Sequence, residues 1–335
     1  MAVLVAGGAG YIGSHTSIEL LNSGYEVIIV DNLCNSNKSV IDKIEKLSGK
    51  KVRFYELDIC QREKLEVVFK ENKIDSIIHF AALKAVGESV EKPMEYYSNN
   101  LISTLSLFEL MKKYNIKKFV FSSSATVYGD PNTCPILEDF PLSTTNPYGR
   151  TKLMIEDMLR DICKADKTLD VAILRYFNPV GAHKSGEIGE LPNGIPNNLM
   201  PYITKVAIGE LEELSVLGDD YPTHDGTGVR DYIHVLDLAD GHVKALKKLE
   251  ENPGLVTYNL GTGKGYSVLD LVKAFSKASK REVPYKIVGR RPGDVAMCFA
   301  DSSKAERELG WKAKYKIDEM CEDSWRWQNT HSKKI

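Results

Sequence analysis

The 335-residue chain is 43% hydrophobic and 27% charged, enough for one large domain or two modest ones, each with a full core. Its 44 Lys and Arg against 46 Asp and Glu give a net charge of -2, which excludes the broad basic field that nucleic acid or an anionic membrane surface requires. Six cysteines without a CxxC pair and seven histidines without an HxxxH or HExxH pair predict reduced thiols, a cytoplasmic setting and no metal.

The first apolar run starts at residue 2, lasts about one strand and enters glycines, so neither a signal peptide nor a spanning helix is expected there. No later run is long enough to cross a bilayer. Up to about residue 175, short β-rich runs at 3–6, 27–30, 52–55, 76–80, 119–122 and 171–174 alternate with helical patterns. Nearly all-apolar strands, separated by segments with Leu, Ile and Val at helical spacing, predict a parallel sheet covered on both faces: an α/β, doubly wound fold of Rossmann type. Beyond 176 the texture changes. Gly, Pro and Asn cluster in 178–201, followed by a helix near 199–209, a strand near 214–217, helices near 235–250 and 267–279, and a terminal helix from about 317. Residues 1–176 are expected to form a dinucleotide-binding domain and 177–335 a smaller mixed α/β substrate domain, with some elements crossing over and a cleft between the two.

Gly7-x-x-Gly10-x-x-Gly13 lies between the first strand and a helix starting near Tyr11. Glycines there permit a tight turn, close approach of a pyrophosphate and close packing of helix on strand, so the turn predicts dinucleotide binding. The second strand ends in Asp31, whose carboxylate suits a ribose 2'-hydroxyl and repels a 2'-phosphate, which favours NAD over NADP; the competing role is a helix or turn cap. Asp58, after the third strand, is placed to meet an adenine amino group, and Phe80-Ala81 ends the fourth with small residues where backbone must approach a ligand. Both are equally readable as ordinary strand exits. Lys84, just past a strand's carboxyl end, either reaches a ribose or phosphate or stays in solvent.

Ser122-Ser123-Ser124 closes the fifth strand at the carboxyl edge of the sheet, where open α/β folds hold their ligands. Tyr148 and Lys152 open a later helix four residues apart and so share a face. A free phenol titrates near a pKa of about 10, so a nearby cation is needed for Tyr148 to take a proton from an alcohol, and the Lys152 ammonium and an oxidised nicotinamide would both serve. A hydroxyl, a tyrosine and a lysine behind a dinucleotide loop fit alcohol–ketone interconversion, with proton and hydride leaving together.

Gly7 to Gly13, Asp31, Ser124 and Tyr148-x-x-x-Lys152 resemble the extended short-chain dehydrogenase/reductase superfamily. Longer strings narrow this: Ala85-Val86-Gly87-Glu88-Ser89, Ser122 to Gly129, Arg175-Tyr176-Phe177-Asn178-Pro179-Val180-Gly181-Ala182 and Gly228 to Val235 resemble the UDP-glucose 4-epimerase family, over essentially the whole chain. The resemblance implies a tightly bound NAD regenerated at every turnover and a UDP-hexose substrate. Tyr148 would remove the 4-hydroxyl proton as C4 loses hydride, Ser124 would bond the same oxygen, and Lys152 would bind the nicotinamide ribose. The 4-keto sugar would then turn over before hydride returns to its other face.

The same resemblance implies cofactor contacts from Gly7, Gly10, Tyr11, Ile12, Gly13, Asp31, Asn32, Asn35, Asp58 and Ile59, and from Phe80, Ala81, Lys84, Asn99, Ser122, Tyr148, Lys152 and Phe177. Substrate contacts are implied for Lys84, Ser124, Tyr148, Asn178, Asn198, Leu199, Ser215, Val216 and Leu217, with Arg230 and Arg291 on the diphosphate and Asp294 on the uridine ribose. Guanidinium forks suit phosphate oxygens. Cys298 departs from the stricter relatives, which carry a bulky tyrosine against the sugar, and is expected to leave room for a 2-acetamido group, hence UDP-GlcNAc and UDP-GalNAc. Apolar stripes at 94–113 and 150–164 match helices that pair between two subunits in that family, implying a homodimer, although burial within one subunit gives the same pattern. Two rivals are a 4,6-dehydratase, which needs Asp-Glu where this chain has Ala125-Thr126, and a non-catalytic NAD-binding regulator, which is free to lose Ser124, Tyr148 and Lys152.

Overall fold

The computed structural model describes residues 1–192, 196, 198–291 and 293–332; the Gly/Pro/Asn cluster at 178–201 lies partly, at 193–195 and 197, outside the described residues. Strand β1 (Ala2–Ala6), helix α1 (Tyr11–Asn22), β2 (Glu26–Asp31), α2 (Ser39–Ser48), β3 (Arg53–Glu56), α3 (Arg62–Glu71) and β4 (Ser76–His79) open the chain. Then come α4 (Val86–Glu91), α5 (Pro93–Lys113), β5 (Lys118–Ser124), α6 (Pro147–Ala165) and β6 (Asp170–Tyr176). The remainder comprises β7 (Asn178–Val180), α7 (Leu199–Ala207), β8 (Leu214–Leu217), β9 (Val229–His234), α8 (Val235–Lys248) and β10 (Leu255–Leu260). It ends with β11 (Gly265–Ser267), α9 (Val268–Ser279), β12 (Tyr285–Val288), β13 (Met297–Cys298), α10 (Ser303–Leu309) and α11 (Ile317–Ser332).

The first six strands and β10 make a seven-stranded parallel sheet in the order β10-β6-β5-β4-β1-β2-β3. The order reverses between β1 and β4, and open α/β sheets bind ligands outside the carboxyl ends of the strands at such a switch. Alternation buries both faces: Ala2, Leu4 and Ala6 of β1 pack with Phe108 of α5 and Leu159 of α6, whereas Val3 and Val5 pack with Ile18 of α1 and Leu246 of α8. Truncating a side chain as fully enclosed as Phe119 to alanine costs about 3 to 5 kcal/mol. Helix α8 and strand β10 come from beyond residue 176, so the chain leaves the sheet after β6, builds β7 to β9, returns with α8 and β10, and leaves again.

Outside the sheet, β9 pairs antiparallel with β11 and parallel with β13 and β7, while β8 and β12 form a separate parallel pair. Met200, Ile203, Val216, Leu271 and Phe275 build the core of this part. A reciprocal capping box between Ser267 and Asp270 starts α9. Among the described residues, His224, Asp225 and Asp270 form the one cluster of possible metal ligands. Both carboxylates are occupied at that helix start, Asp225 accepting from Ser267 Oγ at 2.5 Å and Asp270 from Ser267 N at 3.0 Å. None of the six cysteines is in a disulfide. No helix among the described residues is long and apolar enough to cross a membrane.

Candidate active site

Strand β1 runs into Gly7 at φ +80°, a left-handed conformation that favours glycine, and a Cβ added there would lie 2.7 Å from Ala81 N at the end of β4. A Cβ on Gly13 would fall 2.2 Å from Gly7 O. Gly10 is the N-cap of α1, where no side chain caps the helix. The first-turn amides of Tyr11, Ile12 and Gly13 and the positive end of the helix dipole therefore project toward the carboxyl edge of the sheet, a ready anion site. Asp31, 8% exposed, accepts from Ala9 N at 3.0 Å, Leu33 N at 2.9 Å and Ser36 Oγ at 2.9 Å. The turn-capping role weighed from the sequence is real. It is also compatible with a ribose contact, since an ionised carboxylate offers about four lone-pair sites.

Asn32 Nδ2 lies 3.5 Å from Asp58 Oδ2, which brings the exits of β2 and β3 together, and Ile59 is buried beneath them. Asn35 is exposed in the loop after β2. Phe80 sets its ring 4.7 Å from that of His242, and Ala81 N donates to Ala6 O at 3.0 Å. Lys84 is exposed just past β4, where its ammonium bonds Glu190 Oε1 at 3.1 Å, and the same oxygen accepts from Asn198 Nδ2 at 2.8 Å. Asn99 bonds its neighbour Asn100 at 3.0 Å. Asn100 is the residue that sequence reasoning missed. Only 1% exposed, it accepts from Leu83 N at 2.8 Å and donates to Leu83 O at 3.1 Å and to Thr151 Oγ1 at 2.9 Å, tying the loop after β4 to α6. An amide in mid-helix among apolar neighbours was its signal, because such a group must find partners when buried.

Strand β5 delivers the serines. Ser124 Oγ accepts from Thr126 N at 3.3 Å and Thr126 Oγ1 at 3.0 Å, starting a short 3-10 turn over Ala125–Tyr128. Asn146 caps α6 by accepting from Gly149 N at 2.8 Å, and Pro147 fits the first helical position, so Tyr148 is fixed in the first turn. Tyr148 is buried, and Lys152 is 2% exposed one turn further on. The shared face is as expected. Lys152 Nζ donates to Ser122 O at 2.8 Å, rests 4.9 Å over the Phe121 ring and stands 6.0 Å from the Tyr148 ring centroid. Burial pushes the Tyr148 phenol well above its ordinary pKa, Tyr176 adds to this, and Ser124 works the other way. Burial also lowers the Lys152 ammonium to about 7, with Glu156 opposing. Enclosing both groups outweighs one charge at that distance, so the phenolate calls for a further positive charge beside the lysine, the part an oxidised nicotinamide would take.

Across the cleft, Arg230 of β9 lies opposite Cys298 of β13 in the ladder. Asp294 Oδ1 accepts from Arg291 Nη2 at 2.7 Å and lies 3.5 Å from Arg230 Nη2, so the three residues singled out for the nucleotide are one cluster. Cys298 and Phe177 are buried against Ala125 and Val127, beside the turn that follows Ser124. A Cβ on Gly293 would come 3.7 Å from Thr145 Oγ1, three residues before Tyr148, so the two halves of the site converge. Asn178 is exposed on β7, opposite Tyr232 of β9, and Leu199 opens α7 behind Asn198. Ser215, Val216 and Leu217 lie on β8, paired with Lys286, Ile287 and Val288 of β12.

A glycine turn at the switch of a parallel sheet, a carboxylate ending β2, and Ser, Tyr and Lys on β5 and α6 define an extended short-chain dehydrogenase/reductase. A family model described as GDP-mannose 4,6 dehydratase matches residues 4–324. The UDP-glucose 4-epimerase of Bacillus subtilis (strain 168) is 64% identical over 331 residues, covering 99% of this chain and 98% of that protein. The crystal structure of UDP-glucose 4-epimerase from Bifidobacterium longum in complex with NAD+ and UDP superposes with a TM-score of 0.97 at 57% identity, covering 100% of each chain. That of the Stenotrophomonas maltophila enzyme, with bound NAD and formylated UDP-arabinopyranose, gives 0.98 at 51% identity, again covering 100% of each chain. The chain belongs to the UDP-glucose 4-epimerase family.

Proposed function

We propose that this chain is an isomerase that interconverts UDP-glucose and UDP-galactose at C4 of the hexose, with NAD retained from one turnover to the next. The observation that carries this is the meeting of Ser124, Tyr148 and Lys152 at the carboxyl edge of the sheet, facing Cys298 and the Arg230–Asp294–Arg291 cluster. NAD fits the residues present. Gly7 and Gly13 leave no room for side chains at the turn, the uncapped start of α1 suits a pyrophosphate, and Asp31 suits a ribose diol. Bound there, NAD would supply a reversible hydride acceptor for C4 and, in its oxidised form, a positive charge within the site. Lys152 adds the second cation from its seat on the Ser122 carbonyl. With both charges in place, Tyr148 takes the 4-hydroxyl proton, Ser124 bonds the same oxygen, and the proton returns after the 4-keto sugar has turned. Arg230 and Arg291 hold the diphosphate, so the nucleotide is anchored while the hexose stays free to rotate.

Elimination is disfavoured because Ala125 and Thr126, beside Ser124, offer no carboxylate, and the Thr126 hydroxyl is bonded to Ser124. The small, buried Cys298 supports a wider substrate range that includes UDP-GlcNAc and UDP-GalNAc. Exposed apolar residues on α5 (Met94, Ile102, Leu105) and Met154 on α6 support a homodimer formed through these two helices. A cytoplasmic role in galactose metabolism completes the reading.

The test is incubation of purified protein with UDP-galactose and no added cofactor. UDP-glucose should accumulate to equilibrium, and Tyr148→Phe should lose about 100-fold or more of kcat while retaining NAD. An inert parent protein, or a fully active Tyr148→Phe, refutes the reading.

A further inference from the structure

Glu156 lies one helical turn beyond Lys152 and two beyond Tyr148 on α6, and its side chain is wholly buried. Its Oε1 accepts from Ser123 Oγ at 2.7 Å and from Arg175 Nε at 3.0 Å, and its Oε2 from Arg175 Nη2 at 2.7 Å and Arg160 Nη2 at 2.6 Å. Arg175, from β6, is 2% exposed. Its remaining nitrogen donates to Tyr128 OH at 2.9 Å, and that hydroxyl donates to Asn259 Oδ1 of β10 at 2.7 Å. Taking two full charges out of water is costly, and well-packed apolar side chains would close this sheet at least as well. Such an expense at the sheet centre points to a geometric task.

The Ser122–Ser124 run shows what that task is. Ser122 O receives the Lys152 ammonium, Ser123 Oγ donates to Glu156, and Ser124 Oγ sits at the Tyr148 phenol. Strand alternation turns Ser123 toward α6, away from the face on which the Ser122 hydroxyl lies 3.3 Å from His242 Nε2. Ser124 is carried by a strand, whereas Tyr148 and Lys152 are carried by a helix. Ser123–Glu156 is a side-chain bond joining the two supports, and the bidentate Arg175 fork fixes the carboxylate that receives it.

We propose that Glu156 is a positioning residue: clamped by Arg175, it fastens the end of β5 to α6 through Ser123 and so sets the spacing of the Ser124 hydroxyl from the Tyr148 and Lys152 side chains. The inference rests on the reading of those three as the reacting group set. Replacing Glu156 itself leaves Arg175 buried without its counter-charge and threatens the fold, so the decisive variant is Ser123→Ala, which removes the fastening and keeps the ion pair.

The NAD-loaded, full-length Ser123→Ala enzyme is compared with the parent in steady-state turnover of UDP-galactose and in thermal unfolding. A loss of about tenfold in kcat is expected, the scale on which small misplacement of reacting groups acts. KM should stay within about twofold, because the nucleotide anchors are untouched. The melting temperature should change little, and Glu156→Gln, which keeps an oxygen facing Ser123, should retain more kcat than Glu156→Leu. Parent-like kcat in Ser123→Ala overturns the proposal, as does a loss in which kcat, KM and melting temperature all move together. A parent without epimerase activity overturns instead the functional reading beneath it.

Discussion

Replacing Lys152 with methionine should make the protein more stable at neutral pH while abolishing turnover. The ammonium is 2% exposed, and burial lowers it from 10.5 to about 7. At about 1.4 kcal/mol per pH unit, holding that charge inside the folded protein at neutral pH costs about 4 to 5 kcal/mol. Methionine removes this cost but leaves Ser122 O without its donor, a loss of about 1 to 3 kcal/mol. The net gain is about 2 kcal/mol. The folded-state pKa lies below the unfolded one, so stability rises with pH between them. The parent's deficit is full below about pH 7, shrinks as pH climbs, and is gone above the unfolded value of 10.5. Urea midpoints of nucleotide-free parent and variant, taken at about pH 6 and about pH 9, measure it. A variant less stable than the parent at the lower pH, or an advantage unchanged between the two, refutes the claim that an enclosed ammonium is strained into place there.

Gly13→Ala drives a methyl into Gly7 O and should yield protein that purifies without bound NAD, read from the nucleotide released on denaturation; full NAD occupancy would contradict the tight-turn argument. Asp231 accepts from Thr262 N at 2.8 Å, Thr262 Oγ1 at 2.6 Å, Gly263 N at 3.0 Å and Ala300 N at 3.1 Å. Asp231→Asn sets an amide donor among these donors and should lower unfolding free energy by about 2 to 4 kcal/mol, a loss absent if a water absorbs the mismatch. Cys298→Tyr should suppress UDP-GlcNAc turnover by about tenfold or more relative to UDP-galactose. An unchanged ratio, or no UDP-GlcNAc turnover in the parent, sets the wider substrate range aside.

The parallel sheet was legible because its strands are buried on both faces and read as unbroken apolar runs between helical periods. The pairing of β10 was not, since Leu255–Leu260 carries a strand pattern but nothing local states that it will lie beside Val171–Tyr176. The glycine turn and the Tyr148, Lys152 pair could be read from spacing, whereas the choice of Ser124 from the run Ser122 to Ser124 came from resemblance. What Lys152 actually bonds could not, because the i, i+4 rule fixes the face of a side chain and not the reach of its tip. Glu156 and Arg175 were equally hidden. Glu156 looks like the solvated side of an amphipathic helix, and Arg175 like one letter of a family string, until the fold places one above the other. The clustering of Arg230, Arg291 and Asp294 came from resemblance, and its physical basis, one Asp294 oxygen shared by guanidinium groups from two distant stretches of chain, leaves no sequence pattern.

Strand β10 seals the flank of β6, yet the ribosome delivers it only after β7, α7, β8, β9 and α8 have emerged. Throughout that interval a nascent six-stranded sheet presents a bare row of amides and carbonyls, the surface on which neighbouring polypeptides template aggregates. Pairing with β10 moves that edge outward and covers the flank of β6, so slowed translation between β6 and β10 would lengthen the time the β6 flank stays open.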